Sequence, residues 1–211
     1  MIVGTVSLND FFDRLGSSDP TPGGGALAAV VGASASAMLA MTCNFTIGRP
    51  RYADVEVAVQ GLLTEVLHLR QRLMELADED AAAYGAVRDA YQLARSTEAE
   101  KGARAAAIEA SMHGATSVPL ETMACSHRLI ELSEAAARLT NVNTLGDVAV
   151  AAHIATGATR AAADQARLNL GILSDADFVA ASRARIAAAT TDIDDLVRTA
   201  VATVDARTNP S

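Results

Sequence analysis

Residues 26–47 read ALAAVVGASASAMLAMTCNFTI and carry no charge. A segment of that length can cross a bilayer, or it can be the helix around which a soluble bundle packs. Its composition favours the second. Most positions are Ala, Ser, Gly and Thr, which gain little from lipid, and Asn44 stands near the end. No Lys or Arg cluster flanks the segment and no second span follows it. Gly32, Ser36 and Ala40 recur at four-residue spacing, which lets another helix approach closely. The expectation is a central buried helix and no membrane.

Just upstream, Asp19–Ala26 reads DPTPGGGA. It lacks the spacing and the Lys-Ser/Thr of a phosphate loop, and it is not a GxGxxG following a strand. What remains is a glycine-rich turn onto a helix start. There, unpaired N–H groups favour an anionic or carbonyl-bearing ligand, and missing Cβ atoms allow close approach of a ligand or of another helix. Spacing alone leaves those two roles open.

The 211-residue chain fits one domain, residues 1–211. Alanine, the best helix former, supplies about a fifth of it, and aromatics only 3%. Nothing alternates like a strand. A formal charge of -8 argues against nucleic acid and against anionic lipid. Cys43 and Cys125 are far apart and belong to no CxxC, so they read as free, buried thiols of a cytoplasmic protein. No basic n-region followed by an apolar h-region stands at Met1, so secretion is not expected.

Six helices are expected, making an antiparallel all-α bundle. Ser7–Asp10 caps a short helix closed by Gly16, the uncharged helix stops at Gly48, and Arg49-Pro50-Arg51 is a break. From Asp54 to Ala94 the pattern is helical, about 60 Å at 1.5 Å per residue. Its seam runs Leu62, Val66, Leu69, Leu73, Leu76, Asp80, Ala83, Val87 and Ala90, a heptad. Ser96 or Thr97 caps the next helix, which runs to Leu139 with Pro119 either kinking it or starting a new one. Thr144-Leu145-Gly146-Asp147 has the form of a capping box opening a helix to about Asn169. Ser174–Asp177 caps a last helix to about Asp205, and only Thr208–Ser211 reads as frayed.

Two carboxylates stand out. Asp80 lies on an apolar seam, where it must be partnered or shifted in pKa; a hydrogen-bonded link between helices satisfies that as well as a catalytic role does. Asp147 is the acid of a capping box headed by Thr144, and beside Asn141 and Asn143 it is also placed for acid–base work. His68, His113, His127 and His153 show no metal-binding spacing.

Six stretches, taken in order, resemble the cyclodeaminase/cyclohydrolase family: PTPGGGALAA (20–29), NFTIGRPRYADVE (44–56), DEDAAAYGAV (78–87), the EKGARAAAIEAS and VPLE pieces (100–121), NVNTLGDVAVAA (141–152) and LNLGILSDADF (168–178). The resemblance implies an all-helical homodimer that acts on a tetrahydrofolate-borne one-carbon unit without a metal or redox cofactor. It marks Asp147 as the catalytic carboxylate, with Asp80 as a second acid facing the ligand. It places the folate against Pro22, Gly23, Gly24 and Gly25, with Arg49, Arg51, Asn141, Asn143 and Thr144 as further contacts.

The reaction it implies is hydrolysis of 5,10-methenyl-tetrahydrofolate to 10-formyl-tetrahydrofolate. The alternative is the ammonia-releasing cyclisation of formimino-tetrahydrofolate. The chain has no room for the formiminotransferase units that would make the second substrate, which favours the hydrolase. Three positions depart from the family's usual pattern: Ala26 where serine commonly follows the glycines, Arg49 where lysine is common, and Gly146 where serine often precedes the aspartate. They leave room for a rival of another class, a non-catalytic helical binding or assembly protein.

Overall fold

The uncharged stretch forms one helix, Gly24–Asn44, in the computed structural model, which describes residues 2–209. In chain order the helices are α1 (Leu8–Leu15), α2 (Gly24–Asn44), α3 (Glu56–Tyr91), α4 (Glu98–Leu139), α5 (Leu145–Leu170), α6 (Ala176–Thr191) and α7 (Ile193–Thr208), and no strand occurs among the described residues. The all-α expectation holds. Pro210 and Ser211, part of the end expected to fray, lie outside the described residues, whereas Thr208 is helical.

Helices α2, α3, α4 and α5 form an antiparallel core bundle in which α2 packs against the other three. The small residues of α2 make that possible. A Cβ at Gly32 would stand 2.7 Å from Ser126 Oγ of α4 and 3.2 Å from a Leu73 methyl of α3. One turn on, the buried Ser36 hydroxyl donates to the Val66 carbonyl of α3, and Ala40 is buried as well. On α3 the heptad seam buries Leu62, Val66, Leu73, Leu76 and Ala90. Beyond Asp80, α3 and the first part of α4 run on past the end of α2 as a two-helix hairpin, capped at Thr97 by a capping box with Glu100.

Pro119 neither starts a helix nor ends one: α4 is continuous from Glu98 to Leu139, and Pro119 is buried within it. A proline there has no N–H for the carbonyl four residues back. That carbonyl, on Ala115, instead accepts from the Asn169 side-chain amide of α5 at 2.7 Å. A neighbouring helix supplies the missing donor, so the helix does not break.

The expected last helix is divided at Asp192. The break turns Ile193, Ala200 and Val204 onto the core, and Asp192 is held by His127 Nε2 at 3.2 Å. The start of α6 is tied down by Glu109 of α4, which accepts the Ser174 and Asp175 N–H groups, each at 2.9 Å. The His113 ring packs tilted against Phe178 beside it. Cys43 and Cys125 are unpaired, and burial pushes both thiols up to about 11.

The Pro119–Asn169 arrangement makes a measurable prediction. Asn169→Leu leaves the Ala115 carbonyl without a partner and costs about 1–3 kcal/mol of stability. In a Pro119→Ala background the backbone N–H is restored and the same substitution costs less, so in a double-mutant cycle read by urea unfolding the double variant loses less stability than the sum of the two single variants. Equal costs in both backgrounds would remove Asn169 from this role.

Candidate functional site

Two cavities lie at opposite ends of α2, about 30 Å apart at 1.5 Å rise per residue, and the candidate residues are divided between them.

The first cavity, of about 370 Å³, sits where the α3–α4 hairpin leaves the bundle. It is lined by the turn Pro20–Gly25, by Asp80 and Tyr84 of α3, by Met112 of α4 and by Gln165 and Asn169 of α5. Gly23, Gly24 and Gly25 begin α2 here, behind a cis Thr21–Pro22 peptide and the buried Pro22. Asp80 Oδ2 accepts the Ala26 N–H at 3.0 Å, one of the N–H groups that a helix start leaves unpaired. Its other oxygen lies where a side chain on Gly25 would be: a Cβ there would come within 2.0 Å of Oδ1. Burial raises the Asp80 carboxyl above its usual pKa, and the Ala26 N–H offsets part of that rise. The carboxylate on the apolar seam is therefore both partnered and shifted. Ala26, in place of the family's serine, contributes its backbone N–H, and its side chain is fully buried.

The second cavity is larger, about 670 Å³, and opens at the other end of α2. Met41, Phe45, Arg49, Pro50, Arg51, Tyr52, Asn141, Asn143, Thr144 and Asp147 line it. Asn141 is committed to the fold. Its backbone N–H donates to Thr46 Oγ1 at 2.8 Å and its side-chain amide to the Phe45 carbonyl at 3.0 Å, stitching the α4–α5 connection to the end of α2. Tyr52 completes the stitch: its hydroxyl accepts the Val142 N–H at 3.0 Å and donates to Asn141 Oδ1 at 3.3 Å.

The expected capping box at Thr144 does not form. The Thr144 hydroxyl turns back to the Asn141 carbonyl at 2.9 Å, because Val142–Thr144 is a 3-10 turn and not a free cap. Asp147 consequently has no hydrogen-bond partner among the described residues and lines the cavity half-buried. Arg49 and Arg51 are exposed and in no ion pair among the described residues.

Asp80 and Asp147 thus do not meet within one chain, and neither do the glycine turn and the two arginines. Sequence reasoning passed over Tyr52, Tyr84, Gln165 and Asn169. The tyrosines carried a signal, since aromatics are only 3% of the chain and both stand at cavities; Gln165 and Asn169 carried none.

A family model described as formiminotransferase-cyclodeaminase matches residues 7–188. The chain belongs to the formiminotransferase-cyclodeaminase family. Among its relatives, a methenyltetrahydrofolate cyclohydrolase of Methylorubrum extorquens is 38% identical over 177 residues, covering 84% of this chain and 85% of that protein. A formimidoyltransferase-cyclodeaminase of Mus musculus is 30% identical over 147 residues, which is 70% of this chain and 27% of the longer mouse protein. The crystal structure of formiminotetrahydrofolate cyclodeaminase from Thermotoga maritima has the same fold, with a TM-score of 0.86 at 28% identity over 96% of this chain and 98% of that one. The family model and these relatives bear out the resemblance seen in the six sequence stretches.

Two predictions follow from the geometry at Asp80. A carboxyl whose folded pKa is raised holds its proton more tightly in the fold than in the unfolded chain, so it costs stability as pH rises through and beyond that interval. Asp80→Asn, which keeps an acceptor for the Ala26 N–H, should therefore raise Tm at pH 7. The gain should vanish as the pH falls into the ordinary carboxylate range; a mutant less stable than wild type at pH 7 contradicts this. Gly25→Ala should destabilise by about 1–3 kcal/mol, the scale of overpacking, because Asp80 must leave its place; chemical unfolding measures it.

Proposed function

We propose that this protein hydrolyses 5,10-methenyl-tetrahydrofolate to 10-formyl-tetrahydrofolate, with Asp80 as the proton-transfer group. One observation carries the reading. A half-buried carboxylate of raised pKa is fixed at a glycine-lined helix start, in a cavity with room for a flat ligand. Groups so perturbed and so placed are suited to general acid–base work. The cyclohydrolase relative supports the choice of reaction.

The methenyl group is a cation spread over N5, the bridging carbon and N10. A negative carboxylate at the cavity wall favours its binding. Asp80 takes one proton from water as the oxygen bonds to the bridging carbon, which becomes tetrahedral and neutral. The carbon–N5 bond then breaks, its electron pair stays on N5, and Asp80 returns the proton there. The hydroxyl proton leaves to solvent as the formyl carbonyl forms on N10. The sum is cation plus water giving 10-formyl product plus one proton. The bare backbone of Gly24 and Gly25 lets the flat ring system lie against the start of α2.

The likeness to a formiminotetrahydrofolate cyclodeaminase favours a second reading at the same group. There N10 attacks the protonated formimino carbon, Asp80 carries the N10 proton to the departing nitrogen, and ammonia leaves as the methenyl product forms. In either case the protein is read as a cytoplasmic homodimer that needs no resident cofactor. The unpaired, protonated thiols of Cys43 and Cys125 suit a reducing compartment.

Loss of methenyl absorbance, followed against a buffer blank, tests the first reading, and ammonia release from formimino-tetrahydrofolate tests the second. Asp80→Asn should cut kcat at least about 100-fold, the scale of a lost acid–base group, while folate still binds. Turnover unchanged in that mutant would remove Asp80 from the chemistry. A wild-type protein that binds folate and turns over neither substrate is a binding protein, and the departures at Ala26, Arg49 and Gly146 have then ended the reaction.

A further inference from the structure

Gly24 and Gly25 open the same turn of α2, and each leaves room for a polar side chain from a different helix. Asp80 of α3 occupies the place of a Gly25 side chain. Gln165 of α5 occupies that of Gly24: a Cβ there would stand 2.9 Å from its Nε2 and 3.5 Å from its Cδ. Two polar heads are thus brought onto consecutive residues, whose Cα atoms are about 3.8 Å apart. Both line the glycine-turn cavity.

The two heads keep free what their neighbours have spent. Asp80 uses Oδ2 on the Ala26 N–H, and its Oδ1 has no hydrogen-bond partner among the described residues. Asn169, one turn beyond Gln165 on α5, uses its amide on the Ala115 carbonyl. The half-buried Gln165 carboxamide has no hydrogen-bond partner among the described residues. Its backbone is nonetheless fixed, because Ala162, Ala163, Ala166 and Leu170 around it are buried. The direction of the side chain is therefore set by a packed helix and not by a loop.

We propose that Gln165 and Asp80 hold the attacking water between them, Gln165 being the residue that positions it against the bridging carbon. The proposal rests on the folate reading given above. An enclosed water needs two to four polar partners, and one water with hydrogen bonds of about 2.8 Å spans two acceptors set over neighbouring residues. With one proton on Asp80 Oδ1 and the other on Gln165 Oε1, a lone pair is left to face the flat cation. As the oxygen bonds to carbon it gains positive character, and both acceptors hold their protons more strongly. Asp80 then takes its proton, while the proton held by Gln165 stays on the new hydroxyl. A neutral carboxamide orients and does not take the proton, so the two roles are divided by chemistry. A water already in place also spares the reaction the cost of ordering one at each turnover.

The assignment separates the two reactions considered for this site. Hydrolysis needs a placed water. In ammonia release the nucleophile is N10, which the substrate itself carries. Gln165 is needed for the first and dispensable to the second.

Gln165→Met tests this, because methionine keeps the length, volume and helix propensity of the side chain and lacks the strong acceptor. With methenyl-tetrahydrofolate, kcat should fall about tenfold, the scale of one lost hydrogen bond, while KM stays as in wild type. Gln165→Glu keeps an acceptor oxygen at the same reach and should recover most of that loss. It is read at its own pH optimum, since a second carboxylate raises the pKa of Asp80. Circular dichroism checks the fold; should Gln165→Met lose its helices, Gln165→Ala, with the best helix former, is read in its place. Wild-type kcat in the Met variant overturns the proposal. A higher KM at unchanged kcat overturns it too, because Gln165 is then a ring contact, and so does a Glu variant no better than Met. Each of these results leaves the folate reading standing. A wild-type protein without methenyl turnover overturns both.

Discussion

Three helices press on α2 so closely that a methyl group at Gly32 would collide with Ser126 and Leu73. That closeness orders the rest of the bundle. The hydroxyl of Ser36 reaches the backbone of α3 because nothing bulky intervenes. The same closeness at the end of α2 lets the Asp80 carboxylate lie where a Gly25 side chain would be and bind the Ala26 N–H. Small side chains bury less apolar area per residue than leucine or phenylalanine does, so the protein relies on many close contacts and few large ones. The near absence of aromatic residues follows from the same choice.

At the glycine turn, stability and chemistry oppose each other. Burial that makes Asp80 a better proton carrier also penalises its charge in the fold. The helix start offsets part of that cost with a donor that has no partner inside α2. The arginine end of the bundle is built differently. Its polar backbone groups are satisfied by Asn141, Thr46 and Tyr52, and its charged side chains are left to solvent. One end is a shaped, half-buried pocket and the other an open, stitched rim.

Much of this was legible in the residues. The uncharged segment, its four-residue spacing of small side chains and the heptad seam of α3 predicted the core bundle, because burial imposes a period on sequence. The aspartate on that seam announced itself by interrupting it. Local pattern failed where a contact from elsewhere in the chain won. Pro119 reads as a break until Asn169 is seen to supply its missing donor. Thr144 reads as a cap until Asn141 takes its hydroxyl. The separation of Asp80 from Asp147 was not legible at all, since helix lengths say how long an element is but not which ends lie together.

The interruption at Pro119 also has a bearing on how this fold diversifies. Helix α4 is one backbone hydrogen bond short beside the glycine-turn cavity, and a side chain from α5 makes it up. The shape of that wall is therefore adjustable from outside the helix that forms it. A change at position 169, itself on that wall, can reset the curvature of α4 without touching Asp80 or the glycine turn. Related chains could come to accept differently shaped one-carbon substrates by this route while the carboxylate and the glycines stay as they are.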